Sequence, residues 1–401
     1  MSHTRSALAQ FALACLVATA APVAWAKRIT LNDTGMTACL ARHGHWTTDC
    51  AASRQDAAEG RDASDNDPDD GEAGFSFRKV CRSGEMAGEG GCPADPALGS
   101  GPNDWGCVYD NVTRLTWEVK TADRGLHDGW TRYTNKGGKA RDQPGDAHWL
   151  IDATNAEGLC GATNWRLPDA YELLSIVDYG MGEPGRTGPF IDTRYFPNLR
   201  WVDWWARNDT VFHDKWAWFV DLTTGRVSTY KRYFRDMTAM LVHGTPGLAA
   251  APPEGPATMA RDRFVPRAKG AQIKDTSTGL VWQRCAEGTV WNGQTQTCDG
   301  FSKLFTWQEA LDHATARSAH GWRMPNIKEL FSIVSLEHAY PAIDPVAFPN
   351  TDWLYGFASS TLMGSSGETL VHNVYFGAGS VGALELDAWR FRLRLVRRER
   401  D

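Results

Sequence analysis

Asn-Trp-Arg-Leu-Pro-Asp at 164–169 returns as Gly-Trp-Arg-Met-Pro-Asn at 321–326, and each copy runs into an amphipathic stretch, YELLSIV at 171–177 and KELFSIV at 328–334. Two further matches fall in the same order. Asp110-Asn-Val-Thr-Arg-Leu-Thr-Trp117 matches Asp275-Thr-Ser-Thr-Gly-Leu-Val-Trp282, and Pro189-Phe-Ile-Asp-Thr-Arg-Tyr-Phe-Pro-Asn198 matches Pro341-Ala-Ile-Asp-Pro-Val-Ala-Phe-Pro-Asn350. Ordered matches of this kind mean one structural unit present twice. The units are expected at 105–245 and 269–401, each closing on a β-rich tail. A Pro/Ala/Gly linker at 246–268 separates them, and a cysteine-containing, weakly structured extension at 27–104 precedes them.

The repeated element reads as a helix start. Asp169 and Asn326 supply N-cap side chains, and Glu172 and Glu329 stand three residues later, the spacing of a reciprocal capping box. Leu173, Ile176 and Val177, like Leu330, Ile333 and Val334, fall on one helical face that must be buried. A second capping box, Thr306 with Glu309, opens an earlier helix in the second unit. With short strands around 115–119 and 280–283 and turn-rich sequence after each helix, the expectation is an α+β unit with two helices on a small antiparallel sheet.

Residues 1–26 read as an export signal: Arg5, an apolar run from Ala7 to Val23, then Ala24-Trp25-Ala26 as a small-x-small cleavage site. No second apolar run of membrane-spanning length follows, so no transmembrane segment is expected after cleavage. Cleavage removes Cys15 and leaves eight cysteines, an even number that favours disulfides in an oxidising compartment. Local spacing suggests Cys39 with Cys50, Cys81 with Cys92, and Cys285 with Cys298, leaving Cys107 for Cys160. The formal net charge of −6 supplies no basic field, so nucleic acid is not an expected partner.

Chemical motifs are sparse. Asp65, Asp67, Asp69 and Asp70 crowd carboxylates that would suit calcium, but Gly71 falls late for an EF-hand loop and no glutamate closes it. A solvated acidic loop is the reading, and no cofactor is expected. His43 and His45 lie between Cys39 and Cys50 in a pattern open to zinc, which a disulfide would forestall. The Gly377–Gly382 glycine pattern aligns with a strand-to-strand turn at 221–228 and so does not open a phosphate-binding helix. Asp192 and Asp344 read as turn formers, and Arg166 and Arg323 as anchors of the helix start. Two surfaces stand as ligand-binding expectations. Trp201, Trp204, Trp205 and Arg207 offer aromatic faces beside polar groups, and Arg390, Arg392 and Arg394 alternate with apolar residues so that one strand face would be basic.

Taken together, D-x-x-T-x-L-x-W, W-R-[LM]-P-x-x-x-E-L and P-x-I-D-x-x-x-F-P-N resemble the Lcl C-terminal domain family, named for a Legionella collagen-like adhesin, over about two thirds of the chain. The helix start also looks like that of formylglycine-generating-enzyme-like and C-type-lectin-like domains. The resemblance implies two tandem C-type-lectin-like units, and by analogy with the adhesin, binding of sulfated glycosaminoglycans. Departures are visible. Phe196-Pro-Asn198 lacks the carboxylate of a lectin calcium site, Arg207-Asn-Asp209 lacks its tryptophan, and no cysteine follows Cys298 to serve a formylglycine-type catalysis. The expected function is that of an exported, periplasmic or secreted, non-enzymatic protein binding a glycan, polyanion or envelope protein. A periplasmic enzyme of formylglycine-enzyme-like fold and a structural envelope protein are the alternatives.

Overall fold

A computed structural model describes residues 31–41, 44–60, 63, 70–71, 73–200, 203–234, 237–244, 263–365 and 367–399. The expected signal peptide, His43, Asp65, Asp67, Asp69, Trp201 and most of the linker lie outside the described residues.

In the extension, β1 (Cys39–Leu40) pairs with β2 (Trp46–Thr47). The first unit contains β3 (Phe77–Cys81), β4 (Trp105–Asp110), β5 (Thr116–Glu118), α1 (Ala147–Glu157), α2 (Ala170–Ser175), β6 (Asp203–Thr210), β7 (His213–Asp221), β8 (Arg226–Lys231) and β9 (Val242–His243). The second contains β10 (Phe264–Arg267), β11 (Gln272–Asp275), β12 (Leu280–Gln283), a hairpin of β13 (Thr289–Asn292) and β14 (Thr297–Gly300), α3 (Trp307–Thr315), α4 (Ile327–Ser332), β15 (Phe357–Ser365), β16 (Glu368–Tyr375), β17 (Ser380–Glu385) and β18 (Val396–Arg398). The architecture is α+β, with four α-helices and several small antiparallel sheets among the described residues.

The repeat recurs in the topology. Sheet β3-β4-β5-β9 of the first unit corresponds to β10-β11-β12-β18 of the second. Strand β10 begins where a linker was expected, because Arg263 ion-pairs with buried Asp275 at 2.7 Å and so ties this segment to the second unit. Strands β6–β8 and β15–β17 do not form two separate sheets. They join as β15-β16-β17-β8-β7-β6, and Val381 pairs with Val227 at the junction. One apolar cluster accordingly contains Trp117, Trp204 and Trp218 of the first unit with Trp282, Phe331 and Val381 of the second.

Local chemistry explains both repeated helix starts. Asp169 accepts from the Glu172 amide and Asn326 from the Glu329 amide, each at 2.8 Å, and both capping boxes are complete. The glutamates also take a two-pronged arginine. Arg166 reaches both oxygens of Glu172 at 2.7 Å, and Arg323 reaches those of Glu329 at 2.5 and 2.6 Å. Burial alone would raise the Glu329 carboxyl, but the Arg323 charge and hydrogen bonds together bring it below its ordinary value.

The extension departs from expectation: it is built into the core. Lys328 donates to Asp33 O at 2.6 Å and to Ser175 O at 2.8 Å, linking the extension, the second unit and the first. Asn326 donates to the Asp33 carboxylate at 2.8 Å, and Thr361 to that of Asp56 at 2.5 Å. Glu183 accepts from the Thr37 and Ala38 amides. Composition around the acidic stretch concealed this, because polar side chains such as Asp33 and Asp56 are buried once partners from the second unit satisfy them.

Candidate functional site

The tryptophan segment of the first unit is not the exposed platform expected. Trp204 and Trp205 are each 0% exposed, and as neighbours on β6 they point to opposite faces of the sheet. Trp204 enters the shared core. Trp205 enters a second cluster with Leu150 and Trp165, and its indole donates to Tyr133 O at 2.8 Å. The sheet is covered on both sides here, which corrects the reading of these two rings as sugar-stacking groups. Arg207 is exposed, 3.6 Å from the Asp169 carboxylate.

The arginine run is corrected in a similar way. Phe391, Leu393 and Leu395 are buried as the alternation requires, but Arg390, Arg392 and Arg394 do not line an open basic face. Arg394 is 1% exposed and donates to Gln283 O and Thr351 Oγ1, each at 2.9 Å, beneath the ring of Phe348. Burial pushes its guanidinium down to about 9. Arg392 is half-buried and engaged with Asp352 at 2.5 Å and with Ser302 O. Arg390 is exposed and pairs with Glu309 at 3.2 Å. Residues of the 346–355 stretch, such as Thr351 and Asp352, cover the face that alternation left open.

A ridge of half-buried and exposed aromatic rings lies beside Arg392. Successive ring centroids run Trp216 to His213 at 5.4 Å, His213 to Phe212 at 6.3 Å, Phe212 to Tyr340 at 6.2 Å and Tyr340 to Trp353 at 5.6 Å. Tyr340 is 57% exposed and Trp353 36%, with Leu354 and Tyr355 exposed beside them. The ridge crosses from one unit to the other. Phe212 sits at the turn between β6 and β7, while the Tyr340 amide donates to Gly377 O in the turn between β16 and β17 at 3.0 Å. The shared sheet brings these two turns to the same end. Arg392 positions the other side: its partner Asp352 also accepts the Leu354 amide at 2.9 Å, and its guanidinium lies 4.8 Å from the Tyr355 ring centroid. One sequence signal points to Trp353, since Phe-Pro-Asn-x-x-Trp places it in register with Trp201 of the first unit.

The remaining motifs resolve into structure. Asp192 accepts the Arg194 amide at 2.9 Å, and Asp344 accepts those of Val346 and Ala347 at 2.8 Å, so both form turns. Asp70 takes the Ser76 hydroxyl. Among the described residues no group of three or more His, Cys, Asp or Glu side chains is placed to hold a metal ion.

Four disulfides join Cys39 to Cys50, Cys81 to Cys92, Cys107 to Cys160 and Cys285 to Cys298. Such a set belongs to an oxidising, extracytoplasmic compartment. No helix among the described residues is long and apolar enough to cross a membrane.

The sequence profile of the Lcl C-terminal domain family matches residues 106–243 and again 271–397. No curated protein and no solved structure matches the chain. The two profile matches cover about two thirds of the sequence and coincide with the two units whose helix starts, capping boxes and arginine clamps repeat. The chain belongs to the Lcl C-terminal domain family, in a tandem arrangement.

Proposed function

We propose that this is an exported, adhesin-like, non-enzymatic protein of the bacterial envelope or exterior, and that it recognises polysaccharide along the aromatic ridge. The ridge is the observation that carries the reading. Large rings that remain exposed in an otherwise well-filled fold mark a recognition surface, and the flat apolar faces of sugar rings stack on such groups. The C-type-lectin-like character of the repeated helix start agrees with a recognition role. Neutral polysaccharide fits this surface better than a sulfated one, because Arg392 and Arg394 are committed to internal partners.

The test is an array of neutral, uronate-containing and sulfated polysaccharides probed with the full mature chain, with and without chelator. Binding is expected to persist at high salt, since stacking is little screened. A Tyr340→Ala/Trp353→Ala variant is expected to lose roughly tenfold in affinity, from two stacking contacts of about 0.5–1.5 kcal/mol each. Absence of glycan binding, or binding indifferent to this double substitution, would overturn the reading.

A further inference from the structure

The first unit carries a cleft of about 470 Å³ lined by Arg82, Leu98, Thr121, His127, Glu157 and Asn198, among others. The aromatic ridge contributes no residue to it. We propose that this cleft is a carboxylate-binding site whose resident occupant is the chain's own Glu157.

Glu157 is the last residue of α1, where the partial negative charge of the helix C-terminus disfavours a carboxylate. It is nevertheless held there by two groups from other segments. Arg82 contacts one of its oxygens, and His127 Nε2 lies 2.9 Å from the other. Behind the imidazole, Nδ1 is 2.7 Å from Oε1 of Glu118, a fully buried carboxylate that also takes Lys120 Nζ at 2.7 Å and the Leu241 amide at 2.8 Å. Both ring nitrogens of His127 thus face ionisable carboxylate oxygens. Carboxylate oxygens accept hydrogen bonds, so the ring stands between two acceptors, one buried and one partly exposed.

A guanidinium and an imidazole from separate segments thus converge on one partly exposed carboxylate, the arrangement a receptor presents to an anion. The other carboxylates nearby are already used. Asp123 takes Thr121 Oγ1 at 2.7 Å and the Gly125 amide at 2.8 Å, and Asp104 takes the Gly101 amide at 2.7 Å. Disulfides anchor both halves of the site. Arg82 adjoins Cys81, bridged to Cys92, and the chain leaving α1 reaches Cys160, bridged to Cys107. Anchoring of this kind keeps Arg82 and His127 in place when their occupant is exchanged.

A volume of about 470 Å³ is open with Glu157 in position, within the range of small-ligand pockets and sufficient for a sugar acid. A ligand carboxylate would replace that of Glu157 on Arg82 and His127. No covalent step is involved. The second unit does not repeat the site, since Gln283 occupies the position of Glu118 and Gln272 that of Cys107.

The test titrates D-glucuronate, acetate and D-glucose by calorimetry into the full mature chain, Glu157→Ala, and Glu157→Ala combined with Arg82→Ala. Vacating the site is expected to tighten glucuronate and acetate roughly tenfold or more over the unsubstituted chain, the scale of one charged hydrogen bond. Glucose is expected to show no gain, and loss of Arg82 to abolish the effect. Tighter binding of glucuronate than of acetate would assign the sugar body to the cleft as well. The proposal falls if folded Glu157→Ala binds both acids no better than glucose, or if the gain survives without Arg82. Should Glu157→Ala not fold, Glu157→Gln replaces it with the same expectations. The His127 ring resonances of the unsubstituted chain provide an independent reading: no shift at saturating glucuronate also overturns the proposal.

Discussion

Val227 of β8 pairs with Val381 of β17, and the two residues are each other's counterparts in the repeat, following Gly225 and Gly379 by the same two positions. The relation between the units therefore passes through the middle of one sheet. It continues into the helices. Tyr171 donates to Val334 O at 2.5 Å, and its counterpart Lys328 donates to Ser175 O at 2.8 Å.

Units that share a sheet and a core should unfold together. One calorimetric transition is expected from the full chain, and Lys328→Met should lower stability by about 2–3 kcal/mol, because two buried carbonyls lose a charged donor. Two resolved transitions in the unsubstituted chain would contradict a shared core.

The arginine clamps should be intolerant of both truncation and conservative change. Arg323→Ala leaves Glu329 buried without its partner and should cost about 3–5 kcal/mol in chemical denaturation. Arg323→Lys should recover little of this, since an ammonium cannot reach both Glu329 oxygens in the planar fork of a guanidinium. Full recovery with lysine would show that charge alone suffices there.

Stability should fall as pH rises toward neutrality. Burial, then the nearby Asp33 charge, raises the Asp56 carboxyl to about 7, and burial with Glu172 raises Asp169 to about 7. Both folded values lie above the ordinary 3.8 of an unfolded aspartate. Their contribution is thus fully present below about pH 4 and is lost as pH climbs through about 7. Asp56→Asn should flatten the dependence of Tm on pH between about pH 5 and 8 relative to the unsubstituted chain. Asp169→Asn installs the residue found at Asn326 in the second unit, keeps an N-cap, and should flatten it further. Parallel Tm profiles for all three proteins would refute these assignments.

The four disulfides should not contribute equally. Cys107–Cys160 spans 53 residues, whereas Cys39–Cys50 and Cys81–Cys92 span 11 each. Loop-closure entropy gives about 4 kcal/mol for the long loop and about 3 kcal/mol for a short one. Cys107→Ser/Cys160→Ser should therefore lower the denaturation midpoint more than Cys39→Ser/Cys50→Ser does. The reverse order would mean that native-state packing outweighs the entropy of closure.

The duplication, the helix starts and the α+β class were legible because their determinants sit within a few residues of one another. An N-cap at Asp169 or Asn326 and a glutamate three positions later satisfy each other whatever surrounds them. The tryptophan and arginine segments were misread for the opposite reason. Alternation correctly places Phe391, Leu393 and Leu395 inside, but it carries no information about what covers the other face, and Arg394 proved to be covered as well. The extension was misread because Asp33 and Asp56 look solvated until Asn326, Lys328 and Thr361 arrive from about 300 residues away in sequence.

By itself, then, the amino-acid sequence determined the repeated unit, its capped helices and its family, since hydrogen bonds between near neighbours in the chain specify them. Tertiary structure alone decided that the copies merge into one sheet, that Trp204 and Trp205 are core, and that half-buried Phe212 lines up with exposed Tyr340 and Trp353 across both units. It also brought Arg82 and His127 onto Glu157. Exposure and convergence depend on which distant surfaces pack together, and no local pattern records that.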